Sequence, residues 1–352
     1  MQVLGVKLHN FRSYDLFEAD FGPHGTVIIG PNGTGKTNLL EAVYVALRGN
    51  SFRGSLVDCM KHDAETSTVL LTTDNETRRV QLRRSARTTN KEFIINDHQS
   101  KLLPRKSRLP VVLFEPNELR LLTSSPTRRR DFLDGLISRL DATYERNLRA
   151  FNRTLLQRNE LLKRHQESAA SWRDQLFAWN IKFVQTAMHI ASARANFLYS
   201  HESQLGTLYT SLAGSSTNFA VEYIPSCPLD AYEQSLLDRL ERSLEYEIAT
   251  GHTSCGPQRE DFLIHLHNQP ANKVASRGEM RTIMLAFKLL ELELQTALSD
   301  VKPIILMDDV FSELDATREQ LLQETIRRHQ FIVTTTDARH EADDGVIIST
   351  AT

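Results

Sequence analysis

The chain has 352 residues, enough for one large domain or two ordinary ones with a real core, and its 40% hydrophobic and 24% charged content excludes a disordered or membrane-embedded class. A formal net charge of −2 carries no global sign of a nucleic-acid partner, so basic surface has to be sought locally. Three widely spaced cysteines, Cys59, Cys227 and Cys255, suit a reducing cytosol and argue against a disulfide framework. The N-terminus has no apolar signal-peptide core. It alternates instead, with Val3, Val6, Leu8 and Phe11 on one face of a predicted strand. "TVIIG" is a buried strand, and "TNLLEAVYVAL" a helix with Leu39, Leu40, Val43 and Leu47 at helical spacing. A meander of short strands turning at Asp74–Asn75 follows, then the buried strand "LPVVLFEP". From Arg128 to about Leu205 the chain reads as charged helix almost free of Gly and Pro. Residues 213–230 break it, and a further helix spans "AYEQSLLDRLERSLEYEIAT". "EDFLIHLHNQ" returns to strand, "EMRTIMLAFKLLELELQTAL" to helix, "KPIILMDDV" to buried strand, "ATREQLLQETIRR" to helix, and "QFIVTTT" is the last predicted strand. The pattern is an α/β nucleotide-type domain interrupted by a helical insert.

Three motifs carry chemistry. Gly30-Pro31-Asn32-Gly33-Thr34-Gly35-Lys36-Thr37 matches G-x-x-x-x-G-K-[ST] between a strand and a helix. Such a turn aims successive N–H groups inward at phosphates, with Lys36 for the β and γ phosphates and the Thr37 hydroxyl for Mg²⁺. The strand "PIILM" ends in Asp308-Asp309. An acid at a strand's C-terminal edge beside a phosphate loop is where these folds hold Mg²⁺, which makes Asp308 the metal-side candidate and Asp309 the group that orients or deprotonates water. Ser276-Arg277-Gly278-Glu279 opens a strong helix and forms either a plain N-cap or a second anion site.

Together these resemble the Walker A, Walker B and signature motifs of ABC-type ATPase heads, with Ser312 and Asp315 in the D-loop. The surrounding spelling narrows the resemblance. "HNFRSY" resembles the SMC-like branch, in which Arg12 approaches the phosphates. "LFEPNELRLLTSSPTRRRDFLDGLISRLDATYERNLRAFNRTLLQRNELLK", "GHTSCGPQREDFLIHLHNQPA" and "MDDVFSELD" are similar to the RecF family of bacterial DNA replication and repair proteins. The chain departs from that family's pattern at Gln258, Glu260 and Glu279, and Glu115 stands near the place of the Q-loop glutamine.

The resemblance implies an ABC-type P-loop head over 1–122 and 250–352 and a mainly helical arm over 123–249. It implies ATP and Mg²⁺ as cofactors, Asn38 as a further ATP contact, and the signature of one subunit closing on ATP held by another. It also implies a cytoplasmic clamp without a membrane partner. That clamp dimerises head to tail on DNA at ss/dsDNA junctions and gaps and works with RecO and RecR to load RecA in recombinational repair, replication restart and the SOS response. Asp309 is one methylene shorter than the usual Glu, and a setback of roughly 1 Å costs on the order of a hundredfold, so slow turnover is expected. Thr335 is placed as a γ-phosphate sensor or a plain strand-end hydroxyl. DNA-contact candidates are Arg83, Arg84, Arg87, Lys91, Arg105, Lys106, Arg128 and Arg129, groups that track phosphates without reading bases. The competing readings are a transporter's nucleotide-binding subunit, which needs a membrane partner, and a structural SMC-type head, which needs a long coiled coil.

Overall fold

The computed structural model describes residues 1–85, 88–116, 118–165, 169–215, 217–336 and 346–350. It forms two compact units, one of residues 1–119 with 288–352 and one of residues 120–287.

The first unit opens with β1 (Val3–Phe11), whose alternating apolar residues Val3, Val6, Leu8 and Phe11 are all buried. Then come β2 (Tyr14–Asp20), β3 (Gly25–Ile29) and α1 (Lys36–Arg48). The expected meander is β4 (Thr66–Thr73), β5 (Thr77–Arg84), β6 (Thr89–Ile95) and β7 (His98–Ser100), with β8 (Val111–Phe114) after it. The turn at Asp74–Asn75 is closed by Thr73, whose hydroxyl accepts from the N–H groups of Asn75 at 3.3 Å and Glu76 at 3.0 Å. Six strands make an antiparallel sheet in the order β2-β1-β4-β5-β6-β7.

The second unit holds α2 (Pro126–Leu140), α3 (Ala142–Lys163), α4 (Ala169–Ser200), α5 (Glu202–Ala213), β9 (Phe219–Ile224), α6 (Tyr232–Arg242) and α7 (Leu244–Thr250). β10 (Asp261–Leu266), β11 (Gln269–Pro270), α8 (Ala271–Val274) and α9 (Arg277–Leu298) complete it. The single helix expected over 231–250 is two, divided at Ser243. Buried ion pairs tie the elements of this unit together. Arg158 and Glu247 are both fully buried at 2.7 Å, and Arg158 also donates to Asn180 and Thr253. Arg194 grips Asp134 while Arg129 grips Asp261. Charges this deep persist only when each is paired. The division between the units falls at 119/120 and again inside α9 at 287/288. β10 and the start of α9, expected with the head, therefore pack with the helical unit.

The chain returns to the first unit with β12 (Ile304–Asp308), α10 (Ala316–Ile326), β13 (Phe331–Thr335) and a strand not anticipated, β14 (Val346–Ser349). Five strands form a parallel sheet in the order β14-β3-β13-β12-β8. Helix α1 packs on strands of both sheets, so it is buried continuously from Leu39 to Leu47. A helix apolar on every side has to be covered on every side. Strand order then sets the site: β13 lies between β3, which feeds the phosphate loop, and β12, which carries the acids.

Candidate functional site

The phosphate loop leaves the C-terminal end of β3 and closes on α1. Gly33 and Gly35 have φ of +86° and +98°, a left-handed region that glycine occupies without strain. A Cβ on Gly35 would also lie 2.9 Å from the Tyr14 hydroxyl. No side chain caps α1 and no acid stands in its first turn, so its leading N–H groups are left to an anion. Lys36 is buried and spans the loop, its Nζ donating to the carbonyls of Gly30 at 2.6 Å and Pro31 at 2.8 Å. An ammonium has three donors, and these two bonds use two of them.

Thr37 and the acids meet as the motif spacing implies. The Thr37 hydroxyl donates to Asp308 Oδ1 at 2.8 Å. The Thr334 hydroxyl, at the end of β13, donates to the same oxygen at 2.8 Å and accepts from the Asp309 N–H at 3.0 Å. A carboxylate and a hydroxyl at this spacing are the hard oxygen donors Mg²⁺ takes beside phosphates, so the residues fit that ion. Asp309 has φ of +49°, a left-handed conformation that short polar side chains tolerate. Thr335, the expected sensor, is buried, and its carbonyl accepts from the Gly30 N–H at 3.4 Å. Within β13 the hydroxyl that reaches Asp308 is Thr334's, and the register pairs Asp308 with Thr334.

Around this centre lies a polar network that sequence reasoning missed. Glu41, fully buried within α1, accepts from Arg12 Nε at 2.8 Å and Nη2 at 2.7 Å and from the Ser51 hydroxyl at 2.6 Å. Arg12 Nη1 donates to the Asp58 carbonyl at 2.5 Å, and the Glu41 bonds and charge raise the Arg12 pKa. The structure therefore engages Arg12 with Glu41, and a phosphate contact would have to share it. Asn38 donates to Ser13 Oγ at 2.9 Å and accepts from Arg53 Nη1 at 3.0 Å. A lone acid within an apolar helix was the signal for Glu41, since a buried carboxylate demands a partner. Burial, with Glu118's charge added, pushes the Glu115 carboxyl up to about 8. In the D-loop, Ser312 Oγ donates to the Asp309 carbonyl at 2.7 Å, and Asp315 caps α10 by accepting from the Arg318 N–H at 3.0 Å.

In the second unit the signature forms a reciprocal cap. The Ser276 N–H donates to Glu279 Oε2 at 2.8 Å, and the Glu279 N–H donates to Ser276 Oγ at 3.2 Å. Arg277 and Gly278 occupy the first turn of α9 beside it.

The basic candidates separate. Arg83, Arg84, Lys106 and Arg128 are exposed, while Lys91 and Arg105 are half-buried. Arg83, Lys91 and Lys101 line one groove with Gln81, Asn90 and Glu92. Arg87 lies outside the described residues. Arg129 is buried: its Nε donates to Asp261 Oδ1 at 2.9 Å, its Nη2 to Oδ2, and its Nη1 to the Ser124 carbonyl at 2.6 Å. With its donors spent this way, Arg129 is a structural residue and not a surface phosphate contact.

The family model described as RecF/RecN/SMC N terminal domain matches residues 2–350. The DNA replication and repair protein RecF of Moorella thermoacetica is 35% identical, covering 94% of this chain and 89% of its own length. That of Lachnospira eligens is 29% identical over 96% and 93%. A solved structure of the recombination mediator protein RecF-ATP in the RecFOR pathway is 28% identical, covers 97% of this chain and 94% of that one, and gives a TM-score of 0.84. An Smc head bound to the C-winged helix domain of ScpA, at 16% identity and a TM-score of 0.52, shares the fold.

Proposed function

The chain belongs to the RecF family of DNA replication and repair proteins, and from that premise we propose that it is an ATP-dependent DNA clamp. The observation that carries this reading is the junction of Lys36, Thr37, Asp308 and Thr334 beneath an uncapped helix start, an anion cradle beside a carboxylate. ATP lies along Gly30–Thr37 with Lys36 on its β and γ phosphates, and Asn38 and Arg12 border the cradle. Thr37 and Asp308 would hold Mg²⁺, which when bound neutralises phosphate charge. Asp309 orients the attacking water, and its short side chain makes turnover slow.

ATP also acts as glue between two copies. Ser276, Arg277, Gly278 and Glu279 of one copy close on the triphosphate of the other, giving a two-fold pair with two shared sites that loosens once the γ-phosphate leaves. Ser312 and Asp315 flank that seam. Duplex and single-stranded DNA at junctions and gaps are held through exposed basic groups, among them Arg83, Arg84, Lys106 and Arg128, without base reading. RecO and RecR are the expected partners in loading RecA, in the cytoplasm where the chromosome lies. No helix among the described residues is long and apolar enough to cross a membrane.

Fluorescence anisotropy on gapped duplex tests the proposal. MgATP is expected to tighten binding by the unmodified protein and not by Lys36→Arg. Equal affinity with ATP, ADP and no nucleotide would refute it.

A further inference from the structure

Strand β14 runs parallel to β3, the strand that feeds the phosphate loop, with Val346 opposite Thr26 and Ser349 opposite Ile29. The chain then continues one residue onto the loop itself. The Thr350 N–H donates to the Ile29 carbonyl at 3.0 Å, and its hydroxyl lies 2.7 Å from that of Thr34. Each hydroxyl also has a carbonyl to donate to, Thr34's the Pro31 carbonyl at 2.9 Å and Thr350's the Ile29 carbonyl at 3.4 Å, so either can donate within the pair. Thr350 is 8% exposed. The approach is close enough to dictate sequence: a Cβ on Gly30 would lie 2.3 Å from Thr350 Oγ1 and 3.0 Å from Thr34 Oγ1. The Gly30–Pro31 turn is thus gripped twice. Lys36 holds its carbonyls from within, and the Thr34–Thr350 chain braces it from the C-terminal strand.

We infer that Thr350 is a positioning residue of the phosphate loop and that β14 is a brace holding the loop in its anion-binding shape. An unbraced loop must be ordered when nucleotide arrives, and that ordering weakens binding. This rests on the loop being a triphosphate site, which Lys36→Ala tests separately.

The test measures affinity for a fluorescent ATP analogue, with and without Mg²⁺, in the full chain. Thr350→Val keeps the shape and removes the hydroxyl, and about a two- to tenfold loss of affinity is expected, the range for one net hydrogen bond. Thr350→Ser should restore parental affinity. In a Thr34→Ala background the Thr350→Val change should cost much less, because only the long contact to the Ile29 carbonyl at 3.4 Å is left to lose. Thr350→Val binding like the parent, or weakening binding equally in both backgrounds, would overturn the inference. If the unmodified protein bound no analogue, or Lys36→Ala bound as well as the parent, the triphosphate reading itself would fail.

Discussion

Arg128 and Arg129 are adjacent arginines with opposite expected consequences. Arg129 makes two charge-assisted bonds to Asp261 and a 2.6 Å bond to the Ser124 carbonyl from a buried position. Replacing it with Ala strands the Asp261 carboxylate, which is 17% exposed. Breaking a buried pair from one side costs about 3–5 kcal/mol, and partial water access to Asp261 lowers this to roughly 2–4 kcal/mol. A unit of this size should then melt roughly 5–12 °C lower by calorimetry. Arg129→Lys should recover only part of the loss, since an ammonium cannot reproduce the two-pronged geometry. Arg128→Ala, at an exposed position, should leave stability within about 0.5 kcal/mol. Its effect should appear in DNA binding, where losing one phosphate contact lowers the salt slope by about one unit. An Arg129→Ala protein as stable as its parent but with the shallower salt slope would refute the structural reading.

Asp309→Asn should slow single-turnover hydrolysis about a hundredfold or more while leaving ATP-driven association intact; equal rates would exclude Asp309 from water activation. Glu279→Gln keeps the cap on α9 but removes a negative charge where a partner's triphosphate is proposed to sit, so ATP-dependent association should tighten roughly three- to tenfold in sedimentation equilibrium. Glu115, pushed by burial up to about 8 from an ordinary 4.5, favours the folded state fully below the ordinary value and loses that contribution as pH rises through about 8. In urea titrations Glu115→Gln should therefore gain on the parent between about pH 4.5 and pH 8, and a pH-independent difference would contradict the assignment.

The chemistry legible in the sequence was the part written as local strings. Gly30–Thr37 and Asp308-Asp309 are contiguous, flanked by strands whose apolar runs are unmistakable, and the fold joins Thr37 to Asp308. What escaped depended on pairing across the sheet. Thr334 rather than Thr335 reaches Asp308 because of a register no single strand reveals. Thr350 reaches Thr34 only because β14 adds to β3, and "VIIS" is too short to announce a strand. Arg129 looked like its neighbours because composition cannot show which arginine of a helical run faces Asp261. The signature was ambiguous for a different reason: Ser276-x-x-Glu279 is a sufficient helix cap in isolation, and any further role needs a second molecule.

The central claim, that each ATP site is finished by another copy of the chain, is tested most directly by sedimentation of mixed variants. Lys36→Arg spoils the phosphate loop and Ser276→Arg spoils the signature, so neither variant alone can build a complete site. A head-to-tail pair of one with the other restores one intact site, joining Lys36 of the second variant to Ser276 of the first. The account predicts dimers with MgATP for the parent, monomers for each variant alone, and dimers again for the mixture. A mixture as monomeric as its components, or a parent that stays monomeric with MgATP, would contradict it.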